Sequence, residues 1–319
     1  MRAARPEQHA AQWQVWAALG IVYVVWGSTY LAIRVMVTGP GGLPPLLAGG
    51  TRHVVAGLII FALLILWRGR GAFRLRRSEL IGGAIVGLLL LLGGNGLVVL
   101  GEQEVPSGLA ALIVAIVPLC VVVLRRIFRE RIATGTILGV VAGFIGVAIL
   151  IVPEGISGRV DVLSMLMIIG AAISWSIGSY ISKRLDMPHD PLASTGVQML
   201  VGGMGLLITG ALTGESVHPE QFSTESLVSL LYLITFGSVV AYTAYTWALI
   251  HASVSRVSTY AYVNPVVAVA LGGLLLNETI DLTMMIGAAV IIVSVWLVIR
   301  TESRRQRPPA TAVEAEPVA

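Results

Sequence analysis

The chain is short of charge, of cysteine and of the motifs that mark enzymes. Only 12% of its 319 residues are Asp, Glu, Lys or Arg, roughly half the share of a soluble domain. A single cysteine, Cys120, excludes an intrachain disulfide, and its place in an apolar run reads as a small core residue. There is no His-Glu-x-x-His zinc pair, no Gly-x-Ser-x-Gly elbow and no pair of mid-membrane aspartates. A Gly-x-x-x-x-Gly-Lys-Ser/Thr loop is missing too, so the chain does not drive itself with ATP. No metal, no cofactor and no catalytic residue is expected, and the chain does not read as an enzyme. No long run alternates apolar and polar residues, which excludes an outer-membrane barrel.

What is present is apolar helix-forming sequence. Hydrophobic residues make up 56% of the chain, and the mean hydropathy is +0.88. The 36 glycines suit helices that approach closely inside a bilayer. The net charge of +4 is not a nucleic-acid signature, because the basic residues sit at the ends of apolar runs. The fold class is therefore an all-α integral membrane protein. Ten transmembrane helices are predicted at about 13–37, 44–67, 79–101, 105–124, 133–152, 161–181, 190–212, 226–250, 254–276 and 282–300. Each approaches the roughly 20 apolar residues needed to cross. The first is too long for a signal peptide and no small-residue cleavage site follows it, so it is expected to be retained.

Loop charges assign the sides. Arg68, Arg70, Arg74, Arg76 and Arg77 mark one basic loop, Arg125, Arg126, Arg129 and Arg131 a second, Lys183 and Arg184 a third. The alternate loops at 38–43, 102–104, 213–225 and 277–281 hold no lysine or arginine, and 153–160 holds only Arg159. Residues 1–12 and the tail 301–319 are then cytoplasmic, in a cell inner (plasma) membrane. The tail is polar, rich in proline and alanine, and expected to be disordered.

The chain is also written twice. Val105–Leu124 echoes the stretch Ser253–Glu278, with Pro118 standing where the later copy has Pro265. Pro45-Leu46-Leu47-Ala48, Gly50, Arg52 and Gly57 line up with Pro191-Leu192-Ala193-Ser194, Gly196, Gln198 and Gly203. The copies are 13–152 and 161–300, each of five spans. Five is odd, so the second enters the membrane from the opposite side, and inverted repeats of this kind suit alternating access. A duplication that built only a stable bundle is the bland alternative; polar residues at mid-membrane depth favour a carrier.

Trp26-Gly27-Ser28-Thr29-Tyr30, Pro44-Pro45-Leu46, Val105-Pro106-Ser107-Gly108-Leu109-Ala110-Ala111 and Tyr260-Ala261-Tyr262-Val263-Asn264-Pro265 resemble the ten-helix EamA-type permeases of the drug/metabolite transporter superfamily. The resemblance covers about residues 13–300. It implies an inner-membrane carrier, often an exporter of amino acids or related metabolites, with a central cavity between the halves.

Depth selects the side chains that could line such a cavity. Arg52 is about 12 Å below the outer end of its span, at 1.5 Å per residue, where a guanidinium costs roughly 2.5–3.5 kcal/mol. It needs a substrate carboxylate or a structural partner such as Glu102. Its neighbour His53 is about 100° around the helix and should face elsewhere. Trp26, Tyr30, Asn95, Trp175, Gln198, Tyr242, Tyr245, Tyr260, Tyr262 and Asn264 complete the expected lining, although each alone could be an interhelical bond or belt aromatic. Glu102, Glu104 and Glu278 fall at the outer surface, with Glu102 the first choice for proton coupling and His53 a distant second. Pro118 and Pro265 are expected to interrupt their helices and act as hinges. The expected partners are a small solute, the lipid bilayer and protons, with a monomer or weak homodimer as the unit. A membrane-embedded enzyme, a channel-like facilitator and a drug transporter are the competing readings; a channel would want rings of like side chains that a twofold repeat does not supply.

Overall fold

A computed structural model describes residues 11–69, 75–130, 132–157 and 160–305. The expected cytoplasmic N-terminus (but for its last two residues), the end of the tail, and Arg70, Arg74, Arg131 and Arg159 lie outside the described residues. Ten long helical segments and no strand occur among them. We number them α1 (Gln12–Val37), α2 (Pro45–Arg68), α3 (Arg77–Gly101), α4 (Ser107–Ile127), α5 (Thr134–Ser157), α6 (Val162–Ser182), α7 (Pro191–Leu212), α8 (Thr224–His251), α9 (Tyr260–Leu275) and α10 (Leu282–Arg305). Seven are long and apolar enough to cross a membrane; α5, α9 and α10 carry shorter apolar stretches, Thr134–Leu150, Val263–Leu275 and Leu282–Val298.

Helix starts follow local chemistry. Asp161 and Asp190 accept hydrogen bonds from the first turns of α6 and α7, and Ser223 does so for α8. Pro45 and Pro191 occupy first-turn positions where no N–H is missed.

Repeat-related helices meet in the middle. α2 crosses α7, α5 lies along α10, α1 packs on α8 and α9, and α6 packs on α3 and α4. Each half thus lends its first helix to the other. The α2–α7 contact depends on bare backbone. A Cβ at Gly203 would stand 2.8 Å from the Val54 nitrogen and 3.0 Å from the Gly50 carbonyl oxygen. Backbone cannot give way there, so Gly203→Val is expected to destabilise by about 1–3 kcal/mol. Thermal denaturation of the purified variant measures it, and an unchanged midpoint would contradict the close approach.

The loops gather at two ends. At one, Arg68 pairs with Asp190, Ser78 bonds Asp186, and Arg184 pairs with Glu130. At the other, the Gly41 carbonyl accepts from Ser223, Glu215 accepts from the Leu46 and Leu47 amides, and Glu278 accepts from Ser107 and Gly108. The first end carries the basic loops and the second the loops poor in positive charge. α6 therefore runs opposite to α1, and the two five-helix repeats are inverted.

The Glu130 cluster ties α4 to α6 at the basic end. Its carboxylate accepts from Arg125 Nε at 2.7 Å, Tyr180 Oη at 2.9 Å and Arg184 Nη2 at 2.6 Å. Partial burial alone would raise this carboxyl, but the hydrogen bonds from Arg125 and Tyr180, the Arg125 charge and Arg184 together hold it below the usual range. A depressed folded value contributes stability above the unfolded pKa of about 4.3, and that contribution is lost as pH falls through the folded value. Glu130→Gln should therefore lose less stability than the parent chain between pH 5 and pH 3 (on the order of two units of pH), as intrinsic fluorescence melting would show.

Two helices depart from regular winding. Leu88–Gly96 of α3 and Leu233–Val240 of α8 are π-helical, at corresponding places in the two repeats. In each, a side chain from the other half's first helix satisfies a carbonyl of the wide turn. Ser174 Oγ donates to Leu89 at 2.7 Å, and Trp26 Nε1 donates to Gly237 at 3.1 Å. Such single wide turns often mark functional positions.

Candidate functional site

A cavity opens where α1, α2, α3, α4, α6, α8 and α9 converge. Trp26, Tyr30, Arg52, Asn95, Trp175, Tyr242, Tyr260 and Asn264 line it, together with Thr29, Ile33, Gly94, Val98, Val114 and Ala171. On α1 the lining recurs every three or four residues, which places Trp26, Thr29, Tyr30 and Ile33 on one face. Its volume is about 70 Å³, enough for a few waters at roughly 10–15 Å³ each.

The aromatic wall is continuous. Trp26 meets Trp175 edge-on at 5.4 Å between ring centroids, Tyr260 edge-on at 5.5 Å and Tyr245 at 4.8 Å. Trp26 stands on α1 and Trp175 on α6, the first helix of each half, so each half contributes a tryptophan to the shared centre. The hydroxyls are held in turn. Tyr242 Oη donates to Gln198 Oε1 at 2.8 Å, while Tyr245 Oη accepts from Trp175 Nε1 at 3.2 Å and shares a 2.7 Å bond with Ser179.

Arg52 is only 4% exposed. Its Nε donates to Ser238 Oγ at 2.8 Å, in the wide turn of α8. Gly237 leaves room for the guanidinium: a Cβ there would lie 2.9 Å from Arg52 Nη2. Among the described residues the terminal amino groups of Arg52 have no hydrogen-bond partner, and neither has the Asn95 amide on the facing wall. The site thus holds a fixed positive charge with unused donors beside a stack of rings.

A model of the EamA-like transporter family matches the chain twice, at residues 13–152 and 162–300. The chain belongs to this family. It is a membrane transporter, built as the family's helical fold with two repeats. An EamA relative from Escherichia coli (strain K12), the "uncharacterized inner membrane transporter YedA", is 36% identical over 285 residues, covering 89% of this chain and 90% of that one. "Uncharacterized transporter YvbV" of Bacillus subtilis (strain 168) is 26% identical, covering 92% and 94%. A solved structure described only as "Crystal structure of protein" shares the fold with a TM-score of 0.64 at 18% identity, covering 93% of this chain and all of that one.

The EamA transporter departs from the sequence expectations at several side chains. Gln198 does not line the cavity; it stands behind Tyr242, its oxygen taken by that hydroxyl and its nitrogen by Ser194. Tyr245 supports the wall from behind. The Tyr262 side chain lies outside the described residues. His53 does not turn to a separate neighbour: its Nδ1 is 3.5 Å from the same Ser238 Oγ that Arg52 holds, because the long guanidinium side chain wraps back to the wide turn of α8. His53 Nε2 is buried without a partner. Arg52 and Glu102 make no ion pair within 4.0 Å, so the structural pairing is not formed.

Glu102 is not at the surface. It is 0% exposed, and Arg34 of α1 pins the turn that follows it through the Glu102 and Val105 carbonyls at 2.7 and 2.9 Å. Glu104 remains exposed. The prolines also differ. α4 breaks at Ala115–Ile116 and Pro118 opens its second half, where a missing N–H is harmless. Pro265 lies inside an unbroken α9. Beside it, with its nitrogen turned to the acceptors, Asn264 donates to Tyr260 O at 3.2 Å and Tyr23 O at 3.1 Å, which braces the helix against α1. The break in this region comes earlier, at Ser258–Thr259, between the short helix Val254–Val257 and α9. Ser238 and Arg34 escaped the sequence reading; a serine after a glycine and an arginine near a span end carry no signal of their own.

Proposed function

We propose that this EamA transporter is a secondary carrier of small amphipathic metabolites, amino acids foremost, moved outward by alternating access around the Trp26–Arg52 cavity. One observation carries the substrate class: a buried guanidinium with free terminal donors beside five aromatic rings. A carboxylate fits such a fork with two parallel hydrogen bonds. The rings of Trp26, Trp175, Tyr242 and Tyr260 suit an apolar or aromatic side chain, and Asn95 suits an ammonium or amide group. Alternating access is supported by the inverted halves and by the cavity's position on their shared surface. Outward direction is what resemblance to the ten-helix EamA permeases implies. The basic end is assigned to the cytoplasm of an inner-membrane protein, with both termini on that side. The cavity is complete within one chain, so the monomer is the proposed transport unit.

Proteoliposomes loaded with labelled amino acids, assayed for exchange and net flux with and without a pH gradient, test the reading. Aromatic and branched amino acids should exchange, and the matching amines without a carboxylate should compete at least tenfold more weakly (about 1.4 kcal/mol). Equal competition by the amines would remove the carboxylate from the substrate class. Release of a chemically altered product would replace the carrier with an enzyme.

A further inference from the structure

The charge-poor end holds a clasp. Glu278, after α9, accepts from Ser107 N at 2.8 Å, Ser107 Oγ at 2.9 Å and Gly108 N at 3.1 Å, the first turn of α4. Only glycine permits this approach at position 272, where a Cβ would lie 2.4 Å from Glu278 Oε2. Behind the same turn, five residues earlier in the chain, sits Glu102. Both of its carboxylate oxygens are buried without a hydrogen-bond partner. The nearby Arg34 donates to main-chain carbonyls and makes no ion pair with it. The charges that act on Glu102 come from Arg34 on α1, Glu278 beyond α9 and Arg52 on α2, and Tyr30 of α1 feels its field. From α6, Ile168 and the Ser164 carbonyl face the adjoining Gly101, and Asp161 is engaged by Ser164.

An ionised carboxylate with neither oxygen partnered is strongly unfavourable in such surroundings, and protonation relieves it. We propose that Glu102 is a proton-binding site that controls the outer gate formed by Glu278 and the first turn of α4. With the proton on Glu102, residues 102–108 lie closed beneath Glu278. When the carboxyl O–H gives its proton to water at that face, the carboxylate keeps the electron pair, is repelled by Glu278 and draws solvent in, and the turn lifts. The proposal rests on the carrier reading and supplies its coupling ion.

Val105, within the turn and 0% exposed, is the reporter. Val105→Cys in a Cys120→Ala background is labelled in intact cells with a membrane-impermeant maleimide while external pH is stepped upward from about 6 to about 8.5, the direction in which burial moves a carboxyl. Labelling, corrected for the intrinsic pH dependence of thiol reactivity with an exposed Gln103→Cys control, should rise at least tenfold across that range (a single proton gives about tenfold per pH unit at most). Glu102→Gln should flatten the profile at its low-pH level, and Glu102→Asp should keep the rise. Glu278→Gln, which weakens the clasp and removes the repelling charge, should raise labelling at pH 6 about fivefold. A flat corrected profile in the parent, an unchanged rise in Glu102→Gln, or no change in Glu278→Gln would each overturn the proposal. No substrate is needed, so these outcomes are separate from failure of the amino-acid flux assay.

Discussion

Arg52→Ala should lower amino-acid flux through reconstituted protein about 100-fold while the protein inserts and melts as before. Truncating one partner of a buried, hydrogen-bonded charge pair costs about 2–5 kcal/mol, and about 2.7 kcal/mol is a hundredfold. The loss belongs chiefly to the loaded state, because among the described residues only Nε of Arg52, bonded to Ser238, has a hydrogen-bond partner. A guanidinium at this depth is itself a burden of roughly 2.5–3.5 kcal/mol, so removing it should hold or raise the melting temperature. Falling flux with steady stability distinguishes a substrate clamp from a structural arginine. Arg52→Lys keeps the charge but not the fork and should lose about tenfold. Ser238→Ala frees Nε and should lose about fivefold, near the 1 kcal/mol of one hydrogen bond. Unchanged flux in a well-inserted Arg52→Ala would end the carboxylate assignment.

Trp26→Ala is expected to do the opposite and strike stability first. The ring stands among Trp175, Tyr242, Tyr245 and Tyr260, 9% exposed, and its nitrogen holds a carbonyl in the wide turn of α8. Truncation of a buried tryptophan costs about 3–5 kcal/mol. Trp26→Phe keeps most ring contacts and loses the Gly237 bond, for about 1 kcal/mol. In a cycle with Trp175→Ala, the edge-on pair should show a coupling of about 0.5–1.5 kcal/mol. Denaturant or thermal melting in detergent measures all three. A Trp26→Ala protein as stable as its parent would mean that the aromatic cluster does not join the two halves.

The chain alone determined its solvent and its symmetry. A charge fraction this low, apolar runs of membrane length and basic loops on alternate connections leave little but a helical bundle, since every backbone group in hydrocarbon must bond within its own segment. The internal echo, with five spans per copy, dictated inversion by parity. Depth in the membrane pointed to Trp26, Trp175, Arg52 and Tyr242, because polar and amphipathic side chains are rare there and stand out one by one.

Tertiary structure decided which of those side chains face one another, and how. Gln198 and Arg52 are repeat mates, yet Gln198 is taken up by Tyr242 and Ser194 behind the wall, while Arg52, held at Nε by Ser238, enters the cavity. Arg52 and His53 reach a single serine because α8 is wound with a π turn, and no local pattern in Leu233–Val240 announces one. Glu102 ends a span and so reads as a wet helix-end charge; in the folded chain it is fully buried, where Arg34 reaches across from α1 to its carbonyl. Local sequence sets the period and depth of each helix. Burial and partnership are settled between helices far apart in the chain, where a glycine or one wide turn redirects a side chain.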